Sequence, residues 1–354
     1  MLPPRPGRYA GAVSTDDETL AERLGPVPDP APPAHPDVAE WRPASLAEID
    51  AMHSVYAAAA PVDHPTYTTP REELEETLEL SHVDAARDTL VGYAADGTAV
   101  AVGLAMPHAD RSSVVRAYLD GVVHPQWRRR GIGAAVVQWE LARALQQFAD
   151  SGSALPGEVF LYADERDAGA VVIAEGLGLR TERFFTSMVR DSTAALPDLA
   201  EPDGIRVVAL TPELLEATRL ARNDAFRDHW GSLPTDPERW RQLAEGPFFR
   251  FDLSRVALAG EEVVAFCLAS VNEDDWETLG ASNSYIDLIG VVRDHRRRGL
   301  APLVVSRTLA AIAAAGLEKA VLDVDTESPT GANTLYERLG FTATDRSRAL
   351  VKRY

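Results

Sequence analysis

One short basic segment occurs twice in this chain, each time in the same setting. Arg128-Arg129-Arg130-Gly131-Ile132-Gly133 returns as Arg296-Arg297-Arg298-Gly299-Leu300-Ala301, a shift of 168 residues (128 to 296). Each copy follows a branched apolar run and opens a long helical pattern. The first N–H groups of a helix have no partner within the helix, and its dipole favours an anion there. Glycine lets the backbone approach a ligand without a Cβ in the way, and arginine adds charge-assisted hydrogen bonds. The combination suits a diphosphate. It is neither the Gly-x-x-x-x-Gly-Lys-Ser/Thr loop nor the Gly-x-Gly-x-x-Gly spacing of a dinucleotide fold.

The duplication divides the chain. With 354 residues, either half is long enough for its own core. Residues 1–42 form a Pro-rich arm, expected to be extended or disordered. The first domain spans 43–190, the linker 191–203 and the second domain 204–354. In the first domain, Ser45 with Glu48 predicts a capped helix to about Ala60, and Pro70 precedes a helix over 71–80. Asp96-Gly97 predicts a hairpin joining 89–94 to 98–106. A strand over 114–123, the basic loop and a helix over 131–149 follow. A strand over 158–163, a short helix over 168–175 and a strand over 181–190 close the domain. The second domain repeats the order, with a hairpin about Gly260-Glu261, a strand over 285–292, a helix over 299–316 and a strand over 319–325. Val137, Leu141, Ala144 and Phe148 lie on one helical stripe. The 168-residue shift carries them onto Val305, Leu309, Ile312 and Gly316. Both halves thus read as one α/β design, a mixed and mostly antiparallel twisted sheet with helices on both faces.

A formal net charge of −19 argues against nucleic acid and anionic membrane as partners, and favours a cationic substrate. The basic loops are local positive sites on a negative body. The single cysteine, Cys267, excludes an internal disulfide and suits a reducing cytoplasm. Its apolar surroundings predict a core thiol rather than a nucleophile. No stretch approaches the roughly 18 apolar residues of a membrane span, and the N-terminus has no apolar signal region.

An Arg-x-x-Gly-x-Gly/Ala loop after a strand ending Val-Val resembles the acetyl-coenzyme A loop of the GNAT acetyltransferases. The first copy runs from Val122-Val123 to Gly133, the second from Val291-Val292 to Ala301. Downstream of the second, Ala332-Asn333-Thr334-Leu335-Tyr336-Glu337-Arg338-Leu339-Gly340-Phe341 is similar to that family's Ala-x-x-Leu-Tyr-Glu-x-x-Gly-Phe segment. The resemblance runs from about residue 43 to the end. It implies a tandem GNAT protein with acetyl-coenzyme A as cosubstrate and no metal. Mycothiol synthase shares this tandem layout. The expected product is an acetylated primary amine on a cationic small molecule, made in a direct ternary complex. A cysteinyl sugar, a protein or peptide amine, or coenzyme binding without turnover are the alternatives. A monomer or homodimer is expected.

By the same resemblance the coenzyme's pyrophosphate meets Arg128, Arg129, Arg130, Gly131, Ile132 and Gly133 in one half and Arg296, Arg297, Arg298, Gly299, Leu300 and Ala301 in the other. Its pantetheine arm lies where two parallel strands splay, against Val123 or against Val291 and Val292. Tyr336 is the implied acid for the leaving thiolate. Asp287 interrupts an apolar strand on the face of Tyr285 and Ile289, which makes it the candidate base, directly or through a water. Tyr285, His229 and Trp230 are expected on the acceptor side. Ala174 aligns with Tyr336 and Leu119 with Asp287, so the first half lacks both groups and is expected to be non-catalytic. Pro329 stands where the family commonly has asparagine, putting one coenzyme contact in doubt.

Overall fold

The computed structural model describes residues 18–64, 67–327 and 331–354; Pro329 and the first 17 residues of the arm lie outside them. The elements run in chain order α1 (Leu20–Leu24), β1 (Glu40–Arg42), α2 (Ile49–Asp63), α3 (Arg71–Glu79), α4 (Ala85–Asp88), β2 (Thr89–Tyr93) and β3 (Ala99–Pro107). Then come β4 (Val115–Val123), α5 (Ile132–Asp150), β5 (Gly157–Asp164), α6 (Ala168–Gly176) and β6 (Arg180–Asp191). The second half comprises β7 (Ile205–Ala209), α7 (Leu215–Ala225), α8 (Pro237–Glu245), β8 (Arg255–Ala259), β9 (Glu262–Ser270) and α9 (Asp275–Leu279). It ends with β10 (Asn283–Val291), α10 (Leu300–Ala314), β11 (Lys319–Asp325), α11 (Ala332–Arg338) and β12 (Thr342–Arg353).

The local signals act as expected. Ser45 Oγ accepts the Ala47 N–H and bonds the Glu48 carboxylate, and the helix begins there through a 3-10 turn. Gly97 takes φ 86° at the β2–β3 turn, where a side chain would be strained. The matched stripes are buried on their sheets: Val137, Leu141, Ala144 and Phe148 in one half, Val305, Leu309 and Ile312 in the other. No described helix is long and apolar enough to cross a membrane.

Part of the arm departs from its expected disorder. Thr19 and Glu22 form a reciprocal capping box on α1. Leu20 is fully buried beside Phe148 and Val115, Leu24 packs against the same cluster, and Val38 is buried further along, so a few apolar anchors fix an otherwise polar, proline-rich stretch. Residues 40–42 add an edge strand to β2.

The two halves are also not separate bodies. All twelve strands form one sheet in the order β1-β2-β3-β4-β5-β12-β6-β11-β10-β9-β8-β7. The last strand of each half lies inside the sheet of the other: β12 pairs with β5, and β6 pairs with β11. β6 and β12 also pair with each other from Thr342↔Val189 to Val351↔Arg180. The boundaries 43–190 and 204–354 therefore cut through a reciprocal strand exchange. Arg190 locks it. Its guanidinium, almost fully buried, donates to the Leu339 carbonyl at 2.6 Å and to the Asp191 and Ala194 carbonyls at 2.7 Å.

Candidate active site

Both basic loops adopt the same backbone. Arg129 and Arg297 are the only non-glycine described residues with positive φ, at 64° and 61°. Gly131 and Gly299 follow at 94° and 76° and cap α5 and α10 without any side-chain cap bond. Such a turn, with a free helix start behind it, gathers N–H groups into an anion-binding concavity.

The first arginine of each triplet is tied to the protein itself. Arg128 makes a two-pronged ion pair with Asp63 at 2.6 and 2.5 Å and donates to the Val123 carbonyl at 2.9 Å. Arg296 donates to the Ala225 carbonyl at 2.8 Å and reaches Asp228 and the Val291 carbonyl at 3.4 Å. These bonds fasten each loop to the helical segment before the sheet. In the second loop the Leu300 and Ala301 amides stand at the start of α10 behind Gly299, while Arg298 Nη1 lies 2.9 Å from His295 Nδ1.

Beside the second loop the sheet opens. β10 and β11 pair in parallel only from Asn283↔Lys319 to Tyr285↔Val321, then diverge. The Val292 N–H bonds the Val264 carbonyl on β9, so it is not free for a pantetheine arm. By strand alternation the Val291 N–H points the other way, into the gap.

Asp287 stands at the head of this gap in a β-bulge. Ile286 pairs with Ala269 and Leu288 with Leu268, leaving Asp287 as the extra residue. The bulge corrects the expected face sharing, because alternation breaks there. Tyr285, Asp287 and Leu288 all line one cavity, whereas Ile289 packs into the core under α10. Ser270 Oγ donates to Asp287 Oδ1 at 3.0 Å, while Oδ2 is shut from solvent and has no partner among the described residues. Burial pushes the carboxyl up to about 7, the Ser270 bond opposing it. Tyr285 donates to Asp323 Oδ2 at 2.7 Å, and burial together with Asp323 raises its pKa.

The cavity, about 630 Å³, lies between the halves. α3 and β5 contribute Glu73, Glu76, Tyr162 and Asp164 to its wall. The second half contributes Arg222, Arg239, Asp275, Asp287 and Asp323. Sequence reasoning found only Asp287 and Tyr285 of this group, since the others meet through folding and share no local pattern. Asn272 and Asp275 hold the first half in place, Asp275 Oδ1 accepting the Thr68 N–H at 2.6 Å and Asn272 Nδ2 donating to the Thr68 carbonyl at 3.0 Å.

Tyr336 lies on the opposite face, in the core shared with α10, its ring edge-on to Phe341 at 5.9 Å. Burial first, and Cys267 second, raise its pKa, so the hydroxyl stays protonated. Cys267 itself is fully buried, with its thiol pushed up to about 12.

His229 and Trp230 do not line the cavity. Trp230 packs against Phe160 at 5.6 Å and Phe185 at 6.5 Å from the first half. His229 Nδ1 sits 3.0 Å from the Trp230 carbonyl, and burial lowers its pKa. Aromatic packing between the halves claims this loop, and Arg116 ties it down through the Gly231 carbonyl.

The first half differs at each of these points. β4–β5 pairing continues to Leu119↔Leu161, two residues beyond the matching pair in the second half. The β3–β4 ladder is unbroken from Ala101↔Val123 to Pro107↔Ala117, so it has no bulge. Leu119 and Ala174, opposite Asp287 and Tyr336, are buried apolar side chains.

A sheet that splays beside a helix start with free N–H groups, with a buried carboxyl at the head of the gap, fits an enzyme of acyl transfer. The chain belongs to the GNAT acetyltransferase family, and it is an acyltransferase. Residues 215–341 match the model of the acetyltransferase (GNAT) family. A mycothiol acetyltransferase of Thermobispora bispora is 31% identical over 62% of this chain and 71% of its own length. Another, from a Nocardioides species, is 26% identical over 85% of this chain and 94% of its own. Among solved structures, a GCN5-related N-acetyltransferase from Sphaerobacter thermophilus is 25% identical, covering 90% of this chain and 97% of its own, with a TM-score of 0.67. A tandem GNAT protein from the clavulanic acid biosynthesis pathway shares the fold at 16% identity, with a TM-score of 0.60 over 89% of this chain and 98% of its own.

Proposed function

We propose that this enzyme uses acetyl-coenzyme A to N-acetylate a small-molecule amine held between its two halves, with one working centre, in the second half. The observation that carries the reading is Asp287: a buried carboxyl oxygen without a partner among the described residues, at a bulge, in the wall of the cavity between the halves, beside the gap where β10 and β11 part. The pyrophosphate would rest on the 297–301 loop and the pantetheine arm in the gap, with the Val291 N–H toward the thioester carbonyl. Asp287 accepts a proton from the acceptor ammonium, directly or through a water. The freed amine attacks the thioester carbon, and the C–S bond breaks as the tetrahedral adduct collapses. Tyr336 gives a proton to the leaving thiolate from the opposite face, and the adduct nitrogen loses its second proton to solvent, from which the tyrosine is reprotonated. Proton transfers of this kind contribute about 10²–10⁴-fold each.

The acceptor we favour is the cysteinyl sugar that mycothiol synthase acetylates. Two features support it: the relatives named as mycothiol acetyltransferases, and a wall rich in carboxylates and hydroxyls, suited to an ammonium and to sugar hydroxyls. The same carboxylates favour a second reading, a cationic amine without a sugar. Free-thiol release from acetyl-coenzyme A should be followed with the cysteinyl sugar, a polyamine and a lysine peptide in parallel. Peptide turnover with neither small amine active would overturn the proposal.

A further inference from the structure

The opening repeat leaves one asymmetry unexplained. The two loops share their backbone, yet only the second is open. A Cβ built on Gly299 would meet nothing within 4 Å. One built on Gly131 would stand 3.6 Å from His35 Nε2. That nitrogen also lies 2.8 Å from the Arg130 carbonyl. Two residues on, Asp37 places a carboxylate oxygen 3.9 Å from the Arg130 guanidinium, which stacks on Trp127 at 4.8 Å. His35 and Val38 form a bridge of their own, and the His35 ring also accepts the Asp37 N–H at 3.2 Å, so the segment is locally fixed. It is held at both ends, by α1 in the core and by β1 on the sheet edge.

We infer that the first basic loop is a mount for the chain's own arm, and that the chain takes a single coenzyme, on the second loop. This single occupancy rests on the second loop being the coenzyme site. The arm puts a carboxylate beside the arginine that a phosphate would need, and like charges at this distance disfavour an incoming diphosphate. The β4–β5 ladder runs two residues further than its counterpart and the β3–β4 ladder is unbroken, so the parting beside the first loop is shorter and has no bulge at its head. Trp127 is half-buried against Val38 and Ile132, so the loop, strap and helix start share one small apolar cluster.

Two measurements on the full-length protein test this. Calorimetric titration with coenzyme A should give one site per chain, and none in a Gly299→Asp protein. Two sites in the wild type, or one surviving in Gly299→Asp, would overturn the inference. Hydrogen exchange without coenzyme gives an independent reading, valid even if no coenzyme bound at all. Amides of residues 126–135 should exchange more slowly than those of 294–303. A His35→Ala/Asp37→Ala protein should lose that protection in 126–135 alone and melt a few degrees lower, while turning over at the wild-type rate. Equal exchange in the two loops of the wild type, or no change in the double variant, would show that the arm does not occupy the loop.

Discussion

Asp287 and Tyr336 divide the proton traffic, and their environments predict different signatures. Asp287, pushed up to about 7, should impose a rising limb on kcat/KM centred near that pH, as the base form appears. Asp287→Asn should lose the limb and about 10²-fold or more in rate. The same substitution should stabilise the fold. A carboxyl whose folded pKa exceeds its unfolded value costs stability as pH rises through the folded value. The Tm gain of Asp287→Asn should therefore be largest above pH 7 and shrink toward pH 4 in thermal melts. Tyr336→Phe keeps the packing against Phe341 and removes the acid. It should lower kcat about 10²-fold with coenzyme affinity intact, read by thiol release and calorimetry. A Tyr336→Phe protein as fast as wild type would remove the residue from the mechanism.

At the scale of elements, the bulge in β10 and the early parting of β11 turn an ordinary sheet into a reaction site. Gly290 fits beneath the bulge because Phe266 fills the space a side chain would need: a Cβ there would stand 2.3 Å from its ring. Gly290→Ala should cost about 1–3 kcal/mol in chemical denaturation. On the cavity side, the turn into α9 ties to the first half through Asn272 and Asp275. Asn272→Ala leaves a buried carbonyl unpaired and should raise the acceptor KM several-fold, with the coenzyme Kd unchanged. The basic loops, both hairpins, the capped α2 and Cys267 as a core thiol were legible in the sequence, because short-range periodicity and turn chemistry decide them. Asp287 was legible as an interruption of an apolar strand, but not the bulge, which depends on pairing with β9. α1 was hidden inside a proline-rich stretch whose composition says little about one leucine finding a pocket. Trp230 looked like an acceptor contact because nothing nearby in sequence announces Phe160 and Phe185.

For the whole molecule, the strand exchange makes the halves interdependent. Halves cut at 191–203 and expressed separately should fail to give cooperative melts, and should recover activity only when expressed together. Arg190→Met removes the donors that bind β6 to the Leu339 and Ala194 carbonyls and should cost at least about 3 kcal/mol. Neither the exchange nor the shared cavity could be read from sequence. Each half carries a complete set of strand patterns, and nothing local says whose sheet a final strand will join.

The position of β12 also sets an order of events during synthesis. β5 and the outer edge of β6 are complete by residue 191, but their partner ends at residue 353. At about 5–20 residues per second, that interval lasts roughly 8–30 seconds on a ribosome. Throughout it, a growing chain holds unpaired edges on β5 and β6, in the state most open to chaperones and to wrong partners. Neither half can complete its sheet until β12 has left the exit tunnel.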